Sequence, residues 1–183
     1  DLVIGTIEYH FGVKIDNYVL IGFDAFKEII DYFGGINMDV SKAEAEAMAK
    51  FDCVVAPGDN VLLNGEEALW YSRIRKLDSD FKRTERQRAV ASKIIEKARK
   101  SNLVDLVSVA NKIAPSIETD LPQAKIYSLG ASAVFSYLKY EVIDATIPAP
   151  GLWKSETFKS QSILRVDIEK NREYLAEFLY GIN

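Results

Sequence analysis

One cysteine and one histidine stand among the 183 residues, and that scarcity excludes several kinds of protein at once. Cys53 has no partner for an internal disulfide, and with His10 it is too little for a Cys- or His-rich metal centre. Five prolines and ten glycines are too few for a collagen-like or low-complexity chain. No stretch approaches the roughly 18 consecutive apolar residues of a bilayer-spanning helix, and no charged-then-apolar leader opens the chain. The first residues, Asp1-Leu2-Val3-Ile4, include no initiator methionine. That start reads as a trimmed piece, so localisation is not legible in what remains.

What is present is an ordinary globular composition, 48% hydrophobic and 27% charged. A chain of this length buries about 70% of its unfolded surface, enough for a stable core without staples. The charge is uneven. The chain carries a net −4, yet residues 73–100 hold eleven bases and four acids, a local +7 against −11 for the remainder. An acidic body argues against a long polyanionic partner; a basic segment within it argues for a local anion site.

The apolar spacing predicts interleaved helices and strands. Residues 2–11 read as a helix on Val3, Ile7 and Phe11. The run Tyr18–Phe23 reads as a buried strand. Asp24 is placed to cap a helix with Phe26, Ile29, Ile30 and Phe33 on one face, ended by Gly34-Gly35. Ile36–Val40 follows as a second strand, a βαβ-like signal. Further helices are expected over 41–51, 65–71, 83–99 (Val90, Ile94 and Ala98 on one stripe), 103–110, 126–138 and 170–180. Strands are expected at 142–147 and 163–168, and a turn at Pro57-Gly58-Asp59-Asn60. The class is α/β or α+β.

The densest chemistry lies in Tyr71-Ser72-Arg73-Ile74-Arg75 and Asp80-Phe81-Lys82-Arg83-Thr84-Glu85-Arg86-Gln87-Arg88. If 73–75 is extended, both guanidinium groups share a side and Ile74 faces the core. Arg83 and Gln87, four apart, share a helix face. Asp80 suits a helix cap or a carboxylate holding an arginine fork. Guanidinium forks beside a helix N-terminus favour a phosphate or pyrophosphate. A solvated basic face explains Lys93, Lys97, Arg99 and Lys100 more simply, with Glu85 placed to pair with Arg88. For Arg73 and Arg75 the spacing leaves both readings open. An arginine there acts electrostatically rather than as a base, and Asp80 is left to orient groups or move a proton.

These residues resemble the LytR–CpsA–Psr family. Its pattern G-x-x-x-L-N/D-G-x-x-A-L-x-Y-x-R-x-R, then an Asp, then R-x-x-R-Q, stands here from Gly58 through Asn64-Gly65, Ala68-Leu69, Tyr71 and Arg73-Ile74-Arg75 to Asp80 and Arg83-Thr84-Glu85-Arg86-Gln87, with one extra residue after Gly58. Phe11-Gly12, Ile15-Asp16, Tyr18-Val19 and Phe33-Gly34-Gly35-Ile36 resemble its other blocks. The resemblance implies an α/β/α sandwich, a central mixed sheet flanked by helices, with residues 1–183 forming one domain that lacks the family's upstream part and early strands. It implies a phosphotransferase that moves a glycopolymer, such as wall teichoic acid or capsule, from a polyprenyl pyrophosphate carrier to peptidoglycan. It implies Arg73, Arg75, Asp80 and Arg83 as catalytic, with Arg73, Arg75, Arg83 and Gln87 around the pyrophosphate. It also implies Mg2+ held by ligands upstream of this chain, and a membrane-anchored protein on the outer face of the bacterial cytoplasmic membrane. The lipid tail of such a carrier would lie between helices and sheet.

Two other functions are compatible with the same residues. One is a module that binds a polyprenyl diphosphate without turning it over. The other is a nucleic-acid-binding regulator, for which affinity would fall with salt at a slope near −0.9 per phosphate neutralised. Residues 82–100 hold no aromatic side chain to stack a base, which argues against the second.

Overall fold

A computed structural model describes residues 2–75, 77, 79–122, 124–126, 128, 140 and 142–181. The chain divides into two units, Val19–Tyr140 and Asp1–Tyr18 with Glu141–Asn183. In chain order the elements are α1 (Leu2–Phe11), β1 (Val19–Ile21), α2 (Phe23–Tyr32), β2 (Ile36–Val40), α3 (Lys42–Ala49), β3 (Gly58–Leu63), α4 (Gly65–Arg73), α5 (Asp80–Lys100) and α6 (Leu103–Ile113). They continue with a 3₁₀ turn, β4 (Ile117–Thr119), β5 (Trp153–Phe158), β6 (Gln161–Val166) and α7 (Ile168–Tyr180). The α/β class expected from the sequence is the class of the structure. Among the described residues, however, the strands pair as three separate two-stranded antiparallel ladders, β1–β4, β2–β3 and β5–β6. The βαβ signal is therefore corrected: α2 links strands of two different ladders.

The core of the larger unit is the apolar face of α2, β2 and β3 closed by α3, α4 and α5. Ile30, Ile36, Met48, Leu63, Val40 and Val90 are almost wholly inaccessible. Burying each such side chain is worth about 1.5–3 kcal/mol. Cys53 is buried among them as a small apolar filler, and burial pushes its thiol pKa up. Gly34 and Gly35 end α2 with φ of 70° and 89°, conformations open to glycine at little cost.

The expected turn at 57–60 is instead the start of β3. Between Met38 and Val40 the pairing gains one residue on β3, a bulge. Asn60 absorbs it at φ 56°, its N–H donating to Asp39 Oδ1 at 2.8 Å while Asn37 Nδ2 donates to its carbonyl at 3.1 Å. Turn-forming residues thus serve inside a ladder, as bulges allow. The expected buried strand is also corrected, because Val19, Leu20 and Ile21 are 52%, 57% and 47% exposed. Among the described residues β1 is paired only with β4, so a continuous apolar run is no guide to burial here.

Asp24 does not cap α2; Gly22 does, without a side-chain bond, and Asp24 pairs with Lys27 at 3.1 Å inside the first turn. Of the helix expected over 126–138, all but Ile126 and Ser128 lie outside the described residues. On α6 Leu103 and Val107 are exposed and Val109 is the buried residue.

In the smaller unit the expected strand at 142–147 is irregular chain, while the expected strand at 163–168 is β6. β5 and β6 join through Lys159 and Ser160, both at positive φ, the twist a two-residue hairpin demands. Asn171 is fully buried; its Oδ1 accepts from the Ala149 N–H at 2.7 Å and its Nδ2 donates to the carbonyls of Asp167 and Leu152. Asp167 caps α7. The N–H of Lys170 and then its ammonium hold the Asp167 carboxyl below its ordinary 3.8. A carboxyl depressed in the folded state stabilises above its unfolded value and stops doing so as pH falls through its folded one. We expect Asp167→Asn to be near neutral at pH 7, where Asn caps about as well. It should flatten the loss of stability below about pH 4 in acid unfolding followed by circular dichroism. An unchanged acid limb would remove Asp167 from that loss.

Candidate anion-binding site

The site is built on the end of α4, the start of α5 and the short connection between them. α4 starts where the sequence demands it. Asn64 accepts from the Glu67 N–H at 2.9 Å and its own N–H donates back to Glu67 Oε2 at 2.8 Å, a reciprocal capping box. Gly65 is required because α2 passes against it. A Cβ there would lie 2.4 Å from the carbonyl oxygen of Lys27, and the Gly65 N–H donates to Asp31 Oδ1 at 2.7 Å. Ala68, Leu69, Tyr71 and Ser72 face inward. Burial pushes the Tyr71 phenol up, with Glu44 adding to the shift, and its hydroxyl donates to the Asp39 carbonyl at 3.4 Å. Lys27, held between Asp24 and Glu66, has its ammonium pKa raised by those hydrogen bonds.

Arg73 is the last residue of α4, not part of an extended pair. Ile74 leaves the helix at φ −55°, ψ 119° and is buried, as its apolar character predicted. The Arg73 guanidinium lies 4.8 Å from the ring centre of Phe23 and 5.0 Å from that of Trp70, a cation–π seat. Trp70 in turn stacks on Phe51 and donates through Nε1 to Glu66.

The helix cap of α5 is Ser79, accepting from the Lys82 N–H; Asp80 is one residue further, in the first turn. Its carboxylate is shared: Oδ1 lies 2.9 Å from Arg83 Nη1 and 3.7 Å from Arg75 Nε. The sequence expectation of a carboxylate holding an arginine fork is met, the expectation of a cap is not. Arg75 and Asp80 are largely exposed and Arg83 is mostly covered. Exposed pairs add about 0–1 kcal/mol to stability, so these contacts aim the guanidinium groups more than they hold the fold. The Arg83 Nε is buried with no protein partner among the described residues. Gln87 is one turn on from Arg83 on α5 and exposed. The structure thus joins Arg75, Asp80 and Arg83 directly and seats Arg73 separately on its aromatic pair.

Sequence reasoning missed Arg86. It is 6% exposed, its Nη2 donates to the Ile74 carbonyl at 2.8 Å and its Nη1 pairs with Glu44 at 3.4 Å. The signal was present: the stripe Val90, Ile94, Ala98 extended backwards by four lands on Arg86. The bases further along α5 behave as a compensated face. Lys93 and Lys100 flank Glu96 at 3.3 and 2.6 Å and lower its pKa, and Lys97 and Arg99 reach backbone carbonyls. Glu85 pairs with Lys82, not with Arg88, at 2.7 Å.

No group of three metal-ligating side chains occurs among the described residues, and Asp80, the carboxylate at the site, already faces two cations. Mg2+ is held by one or two carboxylates together with substrate phosphates; among the described residues this site offers it Asp80 alone, and no step is derived through the ion.

A carboxylate-braced arginine pair at a helix start is an arrangement chemically suited to an anion. The comparisons narrow the reading. The sequence model of the LytR_cpsA_psr family matches residues 1–177, and the chain belongs to that family. It is 33% identical over 129 residues to the polyisoprenyl-teichoic acid–peptidoglycan teichoic acid transferase TagV of Bacillus subtilis, covering 66% of this chain and 32% of that protein. It is likewise 33% identical over 123 residues to the TagU transferase of Halalkalibacterium halodurans, covering 66% and 39%. The chain therefore spans about a third of the length of these relatives. In fold it is similar to the structure of TagT bound to LIIa-WTA, with a TM-score of 0.75 and 22% identity over all of this chain and 68% of that one.

Proposed function

We propose that this chain carries the diphosphate-binding arginines of a phosphotransferase that moves a teichoic-acid-like glycopolymer from a polyprenyl pyrophosphate carrier to peptidoglycan. The single observation that carries the reading is the Asp80 carboxylate shared by Arg75 and Arg83 at the start of α5. Names of the relatives supply the reaction class. In this reading Arg75 and Arg83 donate to the diphosphate oxygens with the helix N-terminus behind them, and spread the charge that grows on the leaving diphosphate. Arg73 adds a third guanidinium and Gln87 an amide donor. Asp80 keeps the forks oriented while the diphosphate is away. The acceptor would be a hydroxyl of peptidoglycan, and the place of work the outer face of the bacterial cytoplasmic membrane. A divalent cation, if the reaction uses Mg2+, takes its carboxylates from outside the described residues.

Calorimetry with a short polyprenyl diphosphate tests the site. We expect saturable binding by the full chain, and Arg75→Lys to weaken it about tenfold although the charge is unchanged, because the planar fork is lost. Equal affinity of the two forms would remove Arg75 from the site. Binding without any transfer to a peptidoglycan acceptor, by the whole protein supplied with Mg2+, would favour the non-catalytic module instead.

A further inference from the structure

Arg86 does something no motif role assigns to it. We infer that it is a positioning residue, a buried guanidinium that sets Arg75 through the carbonyl of Ile74, the residue before it. The inference rests on the proposed diphosphate site. The path is continuous and each step is short. Ser41 caps α3 and its hydroxyl lies 2.7 Å from Glu44 Oε2, which also accepts from the Ser41 N–H at 3.0 Å. Glu44 Oε1 meets Arg86 Nη1 at 3.4 Å, with the two side chains only 15% and 7% exposed. Arg86 Nη2 then donates to the Ile74 carbonyl at 2.8 Å.

That carbonyl belongs to the first residue beyond α4, where the chain turns out of the helix. The Arg73–Ile74 peptide is already held by the bond from the Ile74 N–H to the Tyr71 carbonyl; the next peptide, unheld, would be free to rotate and carry Arg75 with it. Arg86 also sits three residues after Arg83 on α5. One guanidinium therefore fixes the α4 exit against the helix that bears Arg83 and Asp80. A planar fork can address a carbonyl and a carboxylate at once; an ammonium is a single point with different reach. Such a buried cation is costly to place, and a hydrophobic residue would pack α3 to α5 as well. What the arginine adds is a defined direction at Ile74.

The test is a double-mutant cycle on affinity for geranyl diphosphate, by calorimetry on the full chain, with folding of each variant verified by circular dichroism. Arg86→Lys should weaken binding about tenfold or more. In an Arg75→Ala background the same substitution should cost about threefold or less, since the group it aims is gone. A merely structural arginine would cost the same in both backgrounds, and that equality would overturn the inference. Glu44→Gln keeps the capping box but removes the charge facing Arg86. It should weaken binding about threefold with the same dependence on Arg75, and it decides the matter by the same criterion if Arg86→Lys does not fold. Loss of the diphosphate by Arg83→Ala alongside unaltered binding by Arg86→Lys sinks this inference alone. No binding by the unsubstituted chain sinks the site itself, and the inference with it.

Discussion

Gly65→Ala should destabilise the protein by about 2–3 kcal/mol, the scale of forcing a methyl group into a packed contact. The new Cβ would stand 2.4 Å from the Lys27 carbonyl oxygen, 2.7 Å from its Cα and 2.8 Å from its carbonyl carbon. All three are backbone atoms in the middle of α2, so no side chain can swing aside. Either α2 and α4 move apart, uncovering Ile30 and Ala68, or the first turn of α4 unwinds and gives up the 2.7 Å bond from the Gly65 N–H to Asp31. Both routes displace α4, whose other end carries Arg73 and turns at Ile74, so diphosphate affinity should fall together with stability. The comparison that isolates the clash is Gly5→Ala in α1, where a Cβ meets nothing within 4 Å. There the better helix propensity of alanine should stabilise by about 0.5–1 kcal/mol. Urea unfolding reads both as shifts of the midpoint at constant slope. A neutral Gly65→Ala would mean that the α2–α4 contact is looser than this geometry.

The contrast between those glycines shows what the sequence can and cannot reveal. The helix from Gly65 was read from the sequence without its Asn64–Glu67 capping box, and the long helix through Val90 and Ile94 was legible from its period. Gly65's real constraint was not, since it lies 38 residues away in Lys27. The same holds for β1: three apolar residues in a row looked buried, yet burial depends on what lies across them, which no local pattern encodes. Asp80 was recognised as an arginine partner from spacing, but its displacement from cap to first turn depended on Ser79 winning the N-cap. Arg86 stood in the R-x-x-R-Q pattern and was given no role of its own. Its face of the helix said core, and periodicity was the better guide.

Arg83→Ala should reduce diphosphate affinity by about a hundredfold or more, the largest effect of any single truncation at the site. Charge-assisted hydrogen bonds are worth roughly 1.5–3 kcal/mol each, and a bidentate fork offers two. Arg83 is the best prepared of the arginines to deliver them. Its side chain is 28% exposed against 74% for Arg75, so less rotamer freedom remains to be lost on binding. Asp80 holds its Nη1 at 2.9 Å, which leaves Nη2 as a donor, and its buried Nε has no protein partner among the described residues. It rises from the first turn of a 21-residue helix, where the peptide dipoles also favour negative charge. Asp80→Asn supplies the internal check. It keeps a hydrogen-bond acceptor but removes the charge that Arg75 and Arg83 share, so net positive charge at the site rises while its order falls. If orientation governs affinity, Asp80→Asn weakens binding of a short polyprenyl diphosphate; if bare electrostatic attraction governs it, binding strengthens and becomes more sensitive to salt. Calorimetry at two ionic strengths separates the two. An Arg83→Ala chain that binds within a few-fold of the original would place the diphosphate elsewhere.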